Sequence, residues 1–152
     1  MLSQGTPAPG LVLDDQHGRP YDLSQAWASG PAVLFFYPQA HTSVCTKEAC
    51  AFRDAHADLR GLDATVVGIS RDAPEVQKSF ADAHQLPFPL LSDPGSQAHD
   101  AFQVENVFGI LPGRVTYVIA QGGRIIAAHN DPLGSSRHVR RALKALRDQG
   151  SA

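Results

Sequence analysis

The chain has 152 residues, of which 43% are hydrophobic and 18% are charged, and its formal net charge is -2. This length is sufficient for one domain with its own core, and the small net charge argues against nucleic acid or an anionic membrane as a partner. The sequence shows neither a signal-peptide pattern nor a run of about 20 apolar residues, so we expect a cytoplasmic protein without a membrane segment.

The first half of the chain alternates between strand and helix patterns. Residues 31–38 (PAVLFFYP) form an uninterrupted apolar run, which is typical of a buried central strand. After it, Ala49, Phe52 and Leu59 recur at helical spacing. The predicted elements are two short strands within 11–23 around a turn at Gly18, the strand 31–38, a helix over about 43–62 and a buried strand over 64–70.

The second half predicts a helix, a hairpin and a final helix. The predicted elements are a helix over 73–84, a short strand over 88–91, a brief helix over 97–102, strands 114–120 and 124–130 around a turn at 121–123, and a helix over 135–150. In the final helix the basic residues are expected on a solvated face and Val139, Ala142, Leu143 and Leu146 on the core side. The order β-α-β followed by β-β-α predicts a single α/β domain over residues 1–152 with a thioredoxin-like fold, an N-terminal β extension and an inserted strand-helix region.

Both cysteines of the chain lie on one short segment, PQAHTSVCTKEAC (38–50). Thiols this close together in a reducing compartment indicate redox chemistry or metal binding. The seven histidines show no zinc-ligand spacing with the cysteines, so we expect no metal site. Cys45 falls in the first helical turn, where free N–H groups and the helix dipole favour a thiolate.

Thr42 lies three residues before Cys45 and has two possible roles. Its side chain can cap the helix, or its hydroxyl can contact a substrate, and the two roles are compatible. A guanidinium from elsewhere in the fold would complete a site suited to attack on a peroxide O–O bond.

The same segment resembles the active site of the peroxiredoxins. Pro38, Thr42 and Cys45 match the family pattern Pro-x3-Thr-x2-Cys, and CTKEAC resembles the Q-type, or bacterioferritin-comigratory, branch. The resemblance continues through GISRD, LPFPLLSD and GRVTYVIAQGG, and so covers most of the chain. Ser43 and Val44 depart from it, since Q-type members usually carry Pro-Gly there.

This resemblance implies a role for each of six residues. They are Cys45 as the peroxidatic cysteine, Cys50 as the resolving cysteine, Thr42 and Arg114 as residues that position peroxide and thiolate, Glu48 as the residue that orients the arginine, and Pro38 as a shield of the pocket. The implied activity is cofactor-free reduction of hydrogen peroxide and organic hydroperoxides. The implied reductant is thioredoxin or a glutaredoxin-like protein. We expect a monomer or a weak homodimer, and the sequence does not distinguish between the two.

Helix geometry adds an expectation about the two cysteines. Positions five apart on a helix differ by about 140° in direction, and their Cα atoms lie about 8.6 Å apart. This distance exceeds the limit of about 7 Å for a disulfide. We therefore expect Cys45 to face the core, Cys50 to lie on the more exposed side, and disulfide formation to require unwinding of the helix.

Two alternatives to a peroxidase remain open from the sequence. A disulfide oxidoreductase of the same fold would carry Cys-x-x-Cys, whereas the spacing here is Cys-x4-Cys. A redox sensor or binding module without turnover would use the same thiols.

Overall fold

The computed structural model describes residues 1–107, 111–132 and 134–150. Within them the strands are β1 (Val12–Asp14), β2 (Pro20–Asp22), β3 (Ala32–Phe36), β4 (Thr65–Ser70), β5 (Leu90–Ser92), β6 (Asn106–Val107), β7 (Leu111–Pro112), β8 (Val115–Ile119) and β9 (Ile125–Asn130). The helices are α1 (Ser43–Asp54), α2 (His56–Gly61), α3 (Pro74–His84), α4 (Gln97–Ala101) and α5 (Ser136–Gly150). None of the helices in this described part has the length and apolar character needed to cross a membrane.

Seven strands form one mixed sheet in the order β2-β1-β5-β4-β3-β8-β9, and β6 pairs with β7 in a separate ribbon. Strand β3 pairs in parallel with β4 and antiparallel with β8, so it lies inside the sheet. The β1-β2 hairpin from the N-terminal part of the chain extends the sheet beyond β5. Along the chain, β5 and α4 are inserted between α3 and β8. The predicted thioredoxin-like fold with both additions is confirmed.

Strand β3 joins the two halves of the core because its side chains alternate between the faces of the sheet. Phe35 packs with Phe52 of α1 on one face. Phe36 packs with Phe102 on the opposite face. All five residues of β3 are buried, as its continuous apolar sequence predicts.

Three local features differ from the sequence predictions. The helix predicted over 43–62 is two helices, because Ala55, with φ -89° and ψ 0°, departs from helical backbone geometry between α1 and α2. A 3-10 helix at Leu23–Trp27 and the β6-β7 ribbon were not predicted.

The final helix is confirmed. Val139, Ala142 and Leu146 are buried, and Leu143 is partly buried against the same core. The basic residues of the helix are exposed; they are Arg137, Arg140, Arg141, Lys144 and Arg147. Residues 151 and 152 lie outside the described part of the chain, so the assignment of residues 1–152 to one domain stays a prediction.

Candidate active site

Cys45 lies in the first turn of α1, close to the carboxyl end of β3. The helix begins after Thr42, whose backbone is extended (φ -87°, ψ 156°) and whose carbonyl accepts the amide of Thr46 at 2.8 Å. Cys45 is 1% exposed and faces the core together with Ala49 and Phe52. The predicted position of Cys45, at a helix N-terminus with its side chain inward, is confirmed.

The pairing of β3 with β8 brings Arg114 to Cys45. Phe36 at the end of β3 pairs with Val115 at the start of β8, so Arg114, one residue earlier, lies beside the end of β3. Its Nη2 donates to Cys45 Sγ at 3.0 Å, and its Nη1 donates to Glu48 Oε1 at 2.8 Å. The guanidinium therefore bridges two side chains that lie three residues apart on α1.

Two contacts with distant parts of the backbone hold Arg114 in this position. Its Nε donates to the carbonyl of Pro132 at 3.2 Å. Gly113 lies so close to Glu105 that a Cβ at residue 113 would be 2.6 Å from that residue's carbonyl oxygen. Glycine is thus required for the close approach that places Arg114.

The Arg114–Glu48 pair is almost completely removed from water. Arg114 is 3% exposed and Glu48 is 0% exposed. Burial raises the pKa of Glu48 above its ordinary value, and the charge and hydrogen bond of Arg114 offset this only in part. Burial also disfavours the charged form of Arg114, but Glu48 and Cys45 outweigh it and raise the arginine pKa above its ordinary value. The guanidinium is consequently a permanent charged donor beside the sulfur.

Thr42 and Pro38 lie in the segment between β3 and α1 that leads to Cys45. The Thr42 side chain forms no capping hydrogen bond with α1; its hydroxyl instead donates to the carbonyl of Gln39 at 2.7 Å. Because the proton of this exposed hydroxyl is engaged, its oxygen can accept a hydrogen bond from a substrate. Pro38 is half-buried in the loop after β3.

Cys50 lies on a different side of α1 from Cys45. It is half-buried, and both thiols are free. The predicted separation of the thiols on the intact helix is confirmed.

The loop before α1 is held by polar residues that the sequence analysis did not identify. The amide of Ala40 donates to Asp72 Oδ2 at 2.7 Å, and Ser70 Oγ donates to the same oxygen at 2.8 Å. Gln77 Nε2 donates to Ser70 Oγ at 2.9 Å, and the Tyr37 hydroxyl donates to Gln77 Oε1. These contacts fix the loop to β4 and α3.

Two further residues that were not predicted from the sequence, His138 and Thr116, lie next to Glu48. His138 on α5 and Thr116 on β8 are both buried, and His138 Nε2 lies 3.5 Å from Glu48 Oε2. Helical spacing could have indicated that His138 is buried, because it precedes Ala142 by four residues and so shares the core-facing side of α5.

This arrangement suits nucleophilic chemistry at sulfur. A thiol at a helix N-terminus contacts a charged donor, and the loop before this helix carries a hydroxyl whose oxygen can accept a hydrogen bond. In the part of the chain that the structure describes, no group of three or more His, Cys, Asp or Glu side chains could hold a metal ion.

Comparisons with known proteins agree with this chemistry. The model of the AhpC/TSA family matches residues 4–128. A chloroplastic peroxiredoxin Q from Sedum lineare is 41% identical over 146 residues, which cover 95% of this chain and 78% of the relative.

Two solved structures extend the comparison to the fold. Peroxidoxin BcpB from Mycobacterium tuberculosis superposes with a TM-score of 0.91 at 36% identity, covering 97% of this chain and 98% of that one. The bacterioferritin comigratory protein of Xanthomonas campestris, described with alkyl peroxide reduction activity, has a TM-score of 0.82 at 27% identity and covers 91% of both chains. The chain therefore belongs to the AhpC/TSA family and, within it, to the Q-type peroxiredoxins, which are thiol peroxidases.

Proposed function

We propose that Cys45 is the peroxidatic cysteine and that Arg114 is the charged donor that activates it and its substrate. The observation that carries this proposal is the bridge formed by Arg114, which contacts Cys45 Sγ at 3.0 Å and Glu48 Oε1 at 2.8 Å in a buried site. Hydrogen bonds from a charged group stabilise an anion more strongly than those from a neutral one. The contact therefore favours the thiolate, which is the nucleophilic form of cysteine.

The first chemical step transfers one peroxide oxygen to sulfur. The Cys45 thiolate attacks the terminal oxygen of a hydroperoxide, a S–O bond forms as the O–O bond breaks, and the departing alkoxide or hydroxide takes a proton to leave as alcohol or water. Sulfur is oxidised to a sulfenic acid and the peroxide is reduced. Negative charge develops on the departing oxygen, and an N–H group of Arg114 is placed to stabilise it.

Thr42 and Pro38 complete the substrate site in this proposal. The Thr42 oxygen accepts a hydrogen bond from the peroxide O–H, because its own proton is donated to Gln39. Pro38 limits the access of water from the loop side. We propose hydrogen peroxide and organic hydroperoxides as substrates; the alkyl peroxide reduction described for the Xanthomonas relative supports the second class.

The second chemical step uses Cys50. Its thiol condenses with the Cys45 sulfenic acid, a disulfide forms and one water is released. A dithiol reductant then exchanges with this disulfide and restores both thiols, leaving the reductant oxidised. We propose thioredoxin or a glutaredoxin-like protein for this task, because a dithiol can reduce the disulfide by thiol–disulfide exchange.

A coupled assay tests this function directly. Peroxide consumption is followed through NADPH oxidation with thioredoxin and thioredoxin reductase, in parallel with a glutaredoxin system. Cys45→Ser should show no turnover, because the alcohol lacks an accessible anion at neutral pH. Cys50→Ser should reduce one equivalent of peroxide, form a sulfenic acid that dimedone traps, and then stop.

The same assay distinguishes the alternatives. Turnover by Cys45→Ser above background would contradict the proposed nucleophile. Unchanged steady-state turnover by Cys50→Ser would mean that another thiol resolves the sulfenic acid. Oxidation of Cys45 without any reductant-dependent turnover in the wild-type protein would instead favour a redox sensor.

The cellular location and the oligomeric state are separate proposals. We propose a cytoplasmic protein that is a monomer or weak homodimer. Sedimentation velocity over a wide concentration range measures the oligomeric state. Fractionation of the source cells measures the cellular location.

A further inference from the structure

Glu48 has one carboxylate oxygen that the contact with Arg114 does not use. Oε1 accepts from Arg114 Nη1, but Oε2 is buried and has no hydrogen bond to the residues that the structure describes. His138 Nε2 lies 3.5 Å from this oxygen, and both side chains are 0% exposed. A buried carboxylate oxygen is costly without a donor, so an N–H group this close affects where the carboxylate rests.

The hydrogen bonds of His138 determine which ring nitrogen carries the proton. Nε2 lies 3.0 Å from the carbonyl oxygen of Asp131, which can only accept, so Nε2 carries a hydrogen. Nδ1 lies 2.8 Å from Thr116 Oγ1, and in the neutral ring it accepts from that hydroxyl. Burial lowers the pKa of His138 to about 4, which keeps the ring neutral near pH 7. The Nε2–H group therefore donates to the Asp131 carbonyl and lies 3.5 Å from Glu48 Oε2.

A chain of contacts thus runs from β8 through α5 to the reactive sulfur. Thr116 orients His138, His138 faces Glu48 Oε2, Glu48 binds Arg114, and Arg114 contacts Cys45. We propose that His138, oriented by Thr116, is a positioning residue that holds the Glu48 carboxylate in the orientation in which it directs Arg114 at Cys45. This inference rests on the proposed roles of Cys45 and Arg114 and adds two residues to the machinery that supports them.

The rate of Cys45 oxidation by peroxide tests the proposal in a single turnover. Reduced protein is mixed with hydrogen peroxide, and the sulfenic acid and disulfide are trapped and quantified by mass spectrometry. His138→Leu replaces the N–H group that faces Glu48 Oε2 with an apolar side chain and should lower the second-order rate constant on the order of tenfold, which corresponds to about 1.4 kcal/mol in the barrier. His138→Gln places an amide donor near the position of Nε2 and should restore the rate to within about threefold of wild type.

Two further comparisons separate positioning from a loss of stability. Leu146→Ala also removes buried packing from α5 but lies two turns beyond His138, so it should lower the melting temperature without lowering the rate constant. The effect of His138→Leu should disappear in an Arg114→Ala background, because the proposed action passes through the arginine.

Several results would overturn the proposal. The first is a rate constant for folded His138→Leu within twofold of the wild-type value. The second is a loss of rate on His138→Leu that is the same in the wild-type and Arg114→Ala backgrounds. The third is a loss of rate in Leu146→Ala equal to that in His138→Leu. If His138→Leu does not fold, Thr116→Val decides the question, since it keeps the shape of residue 116 and removes only the hydroxyl. A loss of threefold or more that depends on Arg114 supports the proposal, and an unchanged rate contradicts it.

These outcomes are distinct from a failure of the proposed function. If the wild-type protein does not form a sulfenic acid or disulfide at Cys45, the proposed function fails before the variants are compared. If the wild-type protein reacts and the His138 variants react equally well, only the positioning role fails.

Discussion

Oxidation to the Cys45–Cys50 disulfide should unwind the first two turns of α1. On the intact helix the two Cα atoms lie about 8.6 Å apart and the side chains point about 140° away from each other. A disulfide allows about 7 Å at most, so the bond and the helix exclude each other. The segment 43–50 must therefore open before Cys50 can reach the sulfenic acid, and it should stay open in the disulfide form.

The size of the effect follows from the contacts that the opening breaks. In the reduced protein Arg114 ties α1 to β8 through Cys45 Sγ and Glu48 Oε1. Hydrogen bonds to charged groups contribute about 1.5–3 kcal/mol each, so losing both lowers the free energy of local opening by about 3–6 kcal/mol. Since 1.4 kcal/mol corresponds to a factor of ten, protection of the amides of residues 46–50 should fall by about 10²–10⁴-fold.

Hydrogen exchange followed by mass spectrometry or NMR measures this change in reduced and disulfide forms. The amides of β3 serve as an internal reference and should not change. The oxidised Cys50→Ser variant is the matched control: it carries the sulfenic acid but cannot form the disulfide, so it loses at most the Sγ contact and about 10–10²-fold of protection. Equal protection of residues 46–50 in the reduced and disulfide forms would refute the reasoning, as would a crystal structure with the disulfide on an intact α1.

Three further predictions test the site and the scaffold. Arg114→Ala should slow peroxide reduction by on the order of 10²-fold or more in the single-turnover assay, and a rate within twofold of wild type would contradict its role. Gly113→Ala should lower the free energy of unfolding by about 1–3 kcal/mol in urea and also slow the reaction, because the new Cβ would lie 2.6 Å from the Glu105 carbonyl; a fully stable, fully active variant would oppose this. Burial raises the pKa of Asp93, but its hydrogen bonds with His99 outweigh this and lower it below its ordinary value. The contribution of Asp93 to the free energy of unfolding is therefore present above about pH 4 and is lost as the pH falls through the lower folded pKa. In Asp93→Asn the free energy of unfolding should accordingly fall less steeply below about pH 4. An acid dependence equal to that of the wild type would contradict this prediction.

Many elements of the fold were predictable because they depend on neighbouring residues in the chain. The apolar run 31–38 identifies the buried strand β3, and the helical period predicts the inward face of α1. The five-residue spacing of Cys45 and Cys50 places them on different sides of a helix whatever surrounds it. The motif resemblance then identified Arg114, which the residues alone would have left as an ordinary arginine at a strand end.

The contacts of the site could not be predicted in the same way. Arg114 meets Cys45 across 69 residues, and this contact depends on the antiparallel register of β3 with β8. His138 and Thr116 come together across 22 residues, because α5 packs on β8. Local periodicity limits the register of a strand, because a slip by one residue would turn its side chains to the other face, but it does not specify which distant strands pair. The period of α1 thus predicted which way Cys45 points, and the pairing of distant strands decided which charged group it meets.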